Sequence, residues 1–377
     1  MSKKALNKSN KSDYIMVGCD LHDKSVLLAI ATNRTDPILA TFGTDANARQ
    51  KMVECLKAHC ARLAGASVHV VYEASGSGFL LHDELVEAGF ACHVLAPSKI
   101  ARSAKHVRTK TDRKDALLLL SVLRAHLLAG SELPAVWVPD TETRDDRLVV
   151  RMRLTAGEKL SAAKVQVKCL LKQCGVQRPE GMKNIWTRRG RAWLQQVVNT
   201  AAFGLRTALG SLLRQVEFFE AEVGGLDEAV ETLAQTQRYA EPARELDALT
   251  GVGTLTALVF LAELGDLNRF ANRKQVASYL GLVPTCSESG ESNDRKGHIT
   301  HQGPARVRKL LCQAAWVRKR LVPAEKRAFK SIERGSPKRK KIAIVALMRR
   351  LGIAMWHRGR QAQQRASCFA PVAAQAS

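Results

Sequence analysis

Three short apolar runs stand close together near the start of the chain: Tyr14–Cys19, Ser25–Thr32 and Ile38–Gly43. The polar segments between them, LHDK and NRTDP, are tight turns, so the runs are read as a three-stranded antiparallel meander. Helical spacing then replaces the strand pattern over Asn47–Leu63, with Met52, Val53, Leu56 and Leu63 apolar. Ser67–Tyr72 is a β-branched strand ending at Glu73, Gly78–Ala88 a helix, and Ala91–Leu95 a further strand. Such alternation buries its apolar faces as a mixed sheet with helices packed on it. Residues 13–135 are therefore read as an α/β domain, preceded by a disordered basic arm over 1–12.

Acidic residues fall at matched places in this pattern. Asp20 and Glu73 each end a buried strand, where open α/β sheets collect catalytic groups. Asp112 and Asp115, in KTDRKDALLLL, are three apart at the start of an apolar helix and share one face. Four converging carboxylates repel one another unless a cation sits among them. Hard oxygen donors select Mg2+ or Mn2+, and two such ions could clamp the oxygens of a phosphodiester. Taken singly, Asp20 could cap a turn, Asp112 could cap the helix in rivalry with Thr111, and Asp115 could simply favour the positive helix end.

The formal charge of +24 names a polyanionic partner, with nucleic acid the default. The charge is spread along the chain, which disfavours a membrane surface, and no apolar run reaches the length of a membrane span. The nine cysteines contain no C-x-x-C pair and no histidines at zinc spacing, so they are read as reduced thiols in a cytoplasmic, nucleoid-associated protein. Cys19 and Cys92 sit in apolar runs and are assigned to the core. Lys105, Arg108 and Lys110 flank the last acidic pair as phosphate contacts.

Pro134 and Pro139 mark a linker, and residues 136–240 read as a helical middle. Arg147–Lys172 is a long basic helix, and Gly175–Arg191 a basic loop with Arg188 and Arg189. Trp186 and Trp193 interleave with these cations, an arrangement that suits stacking on single-stranded bases and equally suits packing. From Leu205 to Leu233, apolar residues alternate at spacings of four and three, an uninterrupted heptad seam. The seam pairs either with the helix before it or with another chain.

Residues 241–365 form a mainly α domain, with 366–377 a tail. LTGVG reads as a tight turn between helices, whose Gly251 and Gly253 could present N–H groups to a phosphate. Thr285–Gly303 has no hydrophobic period and is read as an exposed loop. It holds Ser287, Ser289 and Ser292 beside Gly290 and Gly297, and Arg295, Lys296, Arg306 and Arg308 follow. A serine beside a flexible glycine in a field of cations could attack a phosphate, or the loop could be merely solvated. Helices are read over Pro304–Val317 and Lys341–Trp356. The second is preceded by Lys338, Arg339, Lys340 and Lys341, a cluster suited to phosphate backbones or to a solvated linker.

The order of elements in the first domain resembles the RNase H/RuvC-like nuclease fold. VGCD, YEASGSG and KTDRKDA resemble, more narrowly, the DEDD transposases of insertion-sequence family 110. LTGVG, ASYLGLVP, Ser289-Gly290, GHITHQG and VRKLL are similar to the serine transposase domain of that family. Gln302 replaces the basic residue usual before the second glycine of GHITHQG. The resemblance implies that Asp20, Glu73, Asp112 and Asp115 hold Mg2+, with Mn2+ an alternative. It implies that Ser289 attacks DNA to form a phosphoserine link, with Ser287 and Ser292 as fallbacks. It further implies a coiled-coil segment between the domains, a dimer or tetramer that shares its active sites, and a noncoding guide RNA. A metal-dependent nuclease, a DNA invertase and a non-catalytic nucleic-acid-binding protein are the alternatives.

Overall fold

The apolar runs near the start do form strands, and their two-residue period decides which side chains meet. The computed structural model describes residues 14–33, 35–63, 66–102, 111–287 and 295–368. It divides into two units, one ending at Val138 and the other beginning at Pro139.

The first unit holds β1 (Tyr14–Leu21), β2 (Ser25–Thr32), β3 (Ile38–Gly43), α1 (Ala46–Arg62), β4 (Ser67–Glu73), α2 (Leu80–Glu87), β5 (Ala91–Leu95) and α3 (Asp112–Ala129). The sheet order is β3-β2-β1-β4-β5. The first three strands are antiparallel neighbours, and β1, β4 and β5 run parallel. Ile15, Val17 and Cys19 of β1 join Val68, Val70 and Tyr72 of β4 on one face, under Met52 and Leu56 of α1 and Leu81 and Leu85 of α2. Met16 and Val71 point the other way, into a core with Ala116, Leu119, Leu120 and Leu123 of α3. Burial pushes the Cys92 thiol up to about 12 and the Cys19 thiol further still, so both stay protonated as core groups.

α3 lies unusually close to β1, and Gly18 is the reason. A Cβ at that position would stand 2.2 Å from the Ala116 carbonyl oxygen and 2.4 Å from the Leu120 nitrogen. Only a residue without a side chain lets helix and strand backbones approach so far.

The second unit holds α4 (Thr141–Gln173), α5 (Arg188–Thr200), α6 (Phe203–Ala234), α7 (Ala240–Asp247), α8 (Thr254–Leu264), α9 (Arg273–Tyr279), β6 (Pro284–Ser287), β7 (Arg295–Ile299), α10 (Ala305–Leu321), α11 (Pro323–Glu333) and α12 (Lys340–Cys368). The heptad seam takes its intrachain partner. Leu209 and Val216 of α6 bury against Ala163, Val167 and Leu171 of α4, and α6 runs unbroken through Gly224 and Gly225. At the other end of the hairpin, Val150 and Val230 enter the core built around α8. Every residue of α8 from Ala257 to Leu264 is buried, so this helix is apolar all round because it is central. Its one acid, Glu263, is satisfied by two bonds from Arg151, of 2.7 and 2.8 Å. Among the described residues, no helix is long and apolar enough to cross a membrane.

The reading of Thr285–Gly303 as a loop needs correction. β6 and β7 form an antiparallel ladder with Ser287 opposite Arg295. Backbone pairing supplies this hairpin, and its polar side chains give no alternating signal to detect. A helix over Pro323–Glu333, begun by a proline at its first position, is a further addition.

Candidate active site

The period of the sheet places the acids. Asp20 shares its side of β1 with Met16 and Gly18, and Glu73 shares its side of β4 with Val71, so both belong to the α3 face. Cys19 lies opposite Tyr72 in the parallel register, which makes Asp20 and Glu73 the next residue on each strand. Thr111, not Asp112, caps α3, its hydroxyl accepting from the Lys114 nitrogen at 3.3 Å. Asp112 is thereby left free to serve the site. Asp112 and Asp115 both sit in the first turn, where the helix dipole favours negative charge.

Asp20 and Asp112 converge, and His22 stands between them. Its Nε2 lies 3.0 Å from the Asp20 carboxylate and 3.3 Å from that of Asp112. One ligand atom from each of these three residues falls within 4.8 Å of the others. Asp115 is buried at 4% exposure on the same helix face. Burial pushes the Asp20 carboxyl above its usual range. His22 opposes that by charge and hydrogen bond, while Asp115 and Asp112 reinforce it by repulsion. Two carboxylates converging on one imidazole are a donor set that fits a divalent cation. Glu73 stands differently, its carboxylate paired with the Arg102 guanidinium.

His22 and Arg102 are not evident from sequence. The residue i+2 from Asp20 on an extended strand end was the available signal for His22, because it lies on the same face. Arg102 carries no comparable mark.

Residues 17–176 match a family of DEDD transposases of the IS110 type. Residues 243–330 match the family described as Transposase IS116/IS110/IS902. Transposase y4rJ of Sinorhizobium fredii is 30% identical over 306 residues, covering 76% of each chain. The chain belongs to the IS110 transposase family. Transposase y4qE of the same organism is 36% identical over 255 residues, which are 66% of this chain and 58% of that relative. A pilin gene-inverting protein of Moraxella bovis is 25% identical over 294 residues, 76% of this chain and 78% of the relative. As a member of the family, the chain is an enzyme acting on DNA.

The other residues singled out from sequence fall as follows. Ser289, Gly290 and Ser292 lie outside the described residues, as do Lys105, Arg108 and Lys110. Arg295 and Lys296 open β7, and the β6–β7 hairpin that brackets Ser289 is fixed at its base. There, Gly281 and Gly303 both have positive φ, and a Cβ on Gly303 would meet the Tyr279 carbonyl oxygen at 1.8 Å. Arg308 locks the same junction. Its guanidinium donates to the carbonyls of Leu280, His301, Gln302 and Gly303 at 2.8–3.2 Å. Arg308 thus braces this junction through both terminal nitrogens of its guanidinium. Arg306 remains exposed in the first turn of α10. Gly251 (φ 84°) shapes the turn before α8, and Gly253 caps that helix. Arg188 and Arg189 are exposed at the start of α5. Lys338 and Arg339 lie in a 3-10 turn, with Lys340 and Lys341 opening α12. Cations at a helix N-terminus oppose the helix dipole, an arrangement that an anion would relieve.

Proposed function

We propose that this transposase-family enzyme cleaves and rejoins the DNA of an insertion sequence through Ser289, with a divalent cation, Mg2+ or Mn2+, held by the carboxylates. The observation that carries the reading is the convergence of Asp20 and Asp112 about His22, with Asp115 behind them. The sheet order β3-β2-β1-β4-β5 supports an RNase H/RuvC-like first domain. Asp20, Asp112 and Asp115 would hold the cation, and Glu73 would join them once released from Arg102. When bound, the cation would supply charge stabilisation at the phosphoryl oxygens and lower the pKa of the attacking hydroxyl. Ser289 Oγ would lose its proton to solvent and form a bond to phosphorus, while the bond from phosphorus to the strand's sugar oxygen breaks and that oxygen takes up a proton to leave as a hydroxyl. Rejoining reverses this, with a strand hydroxyl attacking the phosphoserine and freeing Ser289. Each transesterification exchanges one phosphoester for another, so no external energy source is needed.

Carboxylates and serine lie on separate units of the chain, and an oligomer that combines them belongs to this reading. Exposed apolar side chains support it: Leu148 and Met152 on α4, Phe203 and Phe218 on α6. The α4–α6 hairpin is the natural coiled-coil segment, and a noncoding guide RNA would add to the DNA partner. The pilin gene-inverting relative favours a second reading, inversion of a DNA segment by the same chemistry.

Excision in cells tests the proposal, with wild type, Ser289→Ala and Asp20→Ala each supplied with a marked copy of the flanking element. Rejoined junctions from wild type alone, with a protein–DNA adduct that survives denaturation and is lost with chelator, are expected. Junctions from Ser289→Ala would transfer the nucleophile to another serine or to water.

A further inference from the structure

Two cations of α4 pair with carboxylates of α6, one of which also takes a cation from α5. Arg153 meets Asp227 at 2.6 Å, and Lys164 and Arg191 both meet Glu220 at 2.7 Å. Among the described residues, no such pair is found for the last two lysines of α4, Lys168 and Lys172. The segment from Gly175 to Ile185 closes a cavity of about 660 Å³ against the end of α4 and the face of α5. Lys168, Lys172, Arg178 and Lys183 line it, and no carboxylate does. None of the four has an ion-pair partner among the described residues. Arg178 donates to the main-chain carbonyl of Lys183 at 3.0 Å.

The cavity also has an aromatic wall. Trp193 and Ile185 line it and belong to the apolar core of the hairpin. Trp186 nearby is already covered by Lys164 and Arg191, 5.3 and 5.9 Å from its ring centroid. Trp193 has no such cation among the described residues.

Four uncompensated cations about one concavity raise its potential, because the low-dielectric walls focus the field. They cost stability unless an anion arrives. The volume lies within the roughly 300–1,000 Å³ of ligand pockets. An aromatic wall beside a ring of cations is the chemistry that recognises a base joined to phosphate. We propose that this cavity takes one unpaired nucleotide of a single-stranded nucleic acid, its base against Trp193 and its phosphates among Lys168, Lys172, Arg178 and Lys183. The strand can come from RNA or from separated DNA, and the site is independent of the serine and carboxylate chemistry.

Binding of the full chain to short fluorescent strands tests this, by anisotropy over a range of salt. The probes are an RNA strand, the DNA strand of the same sequence, that strand with abasic sites, and its duplex. For Lys172→Gln/Lys183→Gln, single-strand affinity falls, and the slope of log Kd against log salt falls by about 1.4, at roughly 0.7 for each phosphate no longer neutralised. Lys326→Gln/Lys330→Gln removes the same charge from exposed positions on α11 and keeps the wild-type slope. Trp193→Leu weakens the base-bearing strand roughly 5- to 150-fold, spares the abasic strand, and is largely restored by Trp193→Phe. Loss confined to the RNA probe assigns the nucleotide to RNA, and loss confined to the DNA probe assigns it to a DNA strand. A wild-type slope in Lys172→Gln/Lys183→Gln overturns the proposal even if Trp193→Leu does not fold. So does equal binding of abasic and base-bearing strands by wild type, or binding of an acidic peptide that displaces both. Binding is read without strand exchange, so failure of this site and failure of the Ser289 chemistry are told apart.

Discussion

Gly18→Ala is the smallest change that should disable the carboxylate site without touching a carboxylate. The added Cβ would meet the Ala116 oxygen at 2.2 Å, the Leu120 nitrogen at 2.4 Å and the Leu120 Cα at 3.0 Å. All three are main-chain atoms, so no rotamer change relieves the clash. α3 must retreat from β1 by about 1 Å, and misplacement on that scale costs about 100-fold where geometry is catalytic. Asp112 and Asp115 ride on the first turn of that helix, while Asp20 stays on the strand, so the separation opens at the site itself. Overpacking of this kind costs about 1–3 kcal/mol of stability. Two assays read the outcome: thermal unfolding of purified protein with and without Mg2+, and junction formation in cells. The expected result is a Tm lowered by several degrees, a smaller Tm rise with Mg2+, and junctions reduced about 100-fold. Ala116→Gly added to Gly18→Ala should rescue nothing, because the obstruction is the carbonyl and not the methyl group. A Gly18→Ala protein with wild-type Tm and wild-type junction yield would refute the claim that this close approach holds the acids in place.

Three further outcomes are expected. Asp20→Asn should end strand exchange yet not lower the Tm of metal-free protein at neutral pH. The Asp20 pKa is raised on folding, mainly by burial, so its stabilising contribution exists below the unfolded value near 3.8 and is lost as pH rises through the folded value. A Tm well below wild type without metal would contradict this. His69 and His93 act in the opposite direction, both lowered from 6.5 by burial first and then by neighbouring histidines, including His126. The stability they contribute is present above the unfolded pKa and is lost as pH falls below it, so His69→Gln/His93→Gln should flatten the acid decline in Tm of the first unit; an unchanged decline would clear them. Glu263→Ala removes a buried carboxylate and strands Arg151, at the lower end of about 3–5 kcal/mol because Arg151 is partly exposed, read as a lower urea midpoint at constant m.

The first unit was legible because its signals are local and repeated. β-branched runs mark the strands, and Asp20 and Glu73 mark where two of them end. A two-residue period then orients each acid once the face under α3 is known. His22 was hidden because a single histidine in a polar turn has the same local surroundings whether it touches one carboxylate, two or none. The hairpin flanking Ser289 was hidden for a different reason, since backbone pairing holds it and its side chains carry no alternation. The heptad seam was visible as a stripe, but a stripe does not name its partner, and α4 became that partner only through the turn and helix between them. Arg308 shows the limit most sharply. Its charge reads as a phosphate contact, whereas four carbonyls supplied by two separate turns give it an internal role.

That role bears on how the proposed chemistry would be held. The carboxylates sit on a strand end and a helix packed backbone to backbone, an inherently stiff arrangement. The proposed nucleophile lies in sequence between the two strands of a hairpin, which is marginal alone and depends on its base. Gly281, Gly303 and Arg308 make that base, the glycines by admitting close backbone approach and the arginine by collecting the carbonyls this approach exposes. A lysine at 308 would keep the charge but lose the planar fork that reaches several acceptors together. Loosening the base would leave the helical core around α8 intact, because among the described residues the hairpin contributes only Ile299 to its margin. The hairpin would thus loosen before the unit lost its fold. Net charge alone therefore does not account for the basic residues after the hairpin, because at least one of them holds the frame.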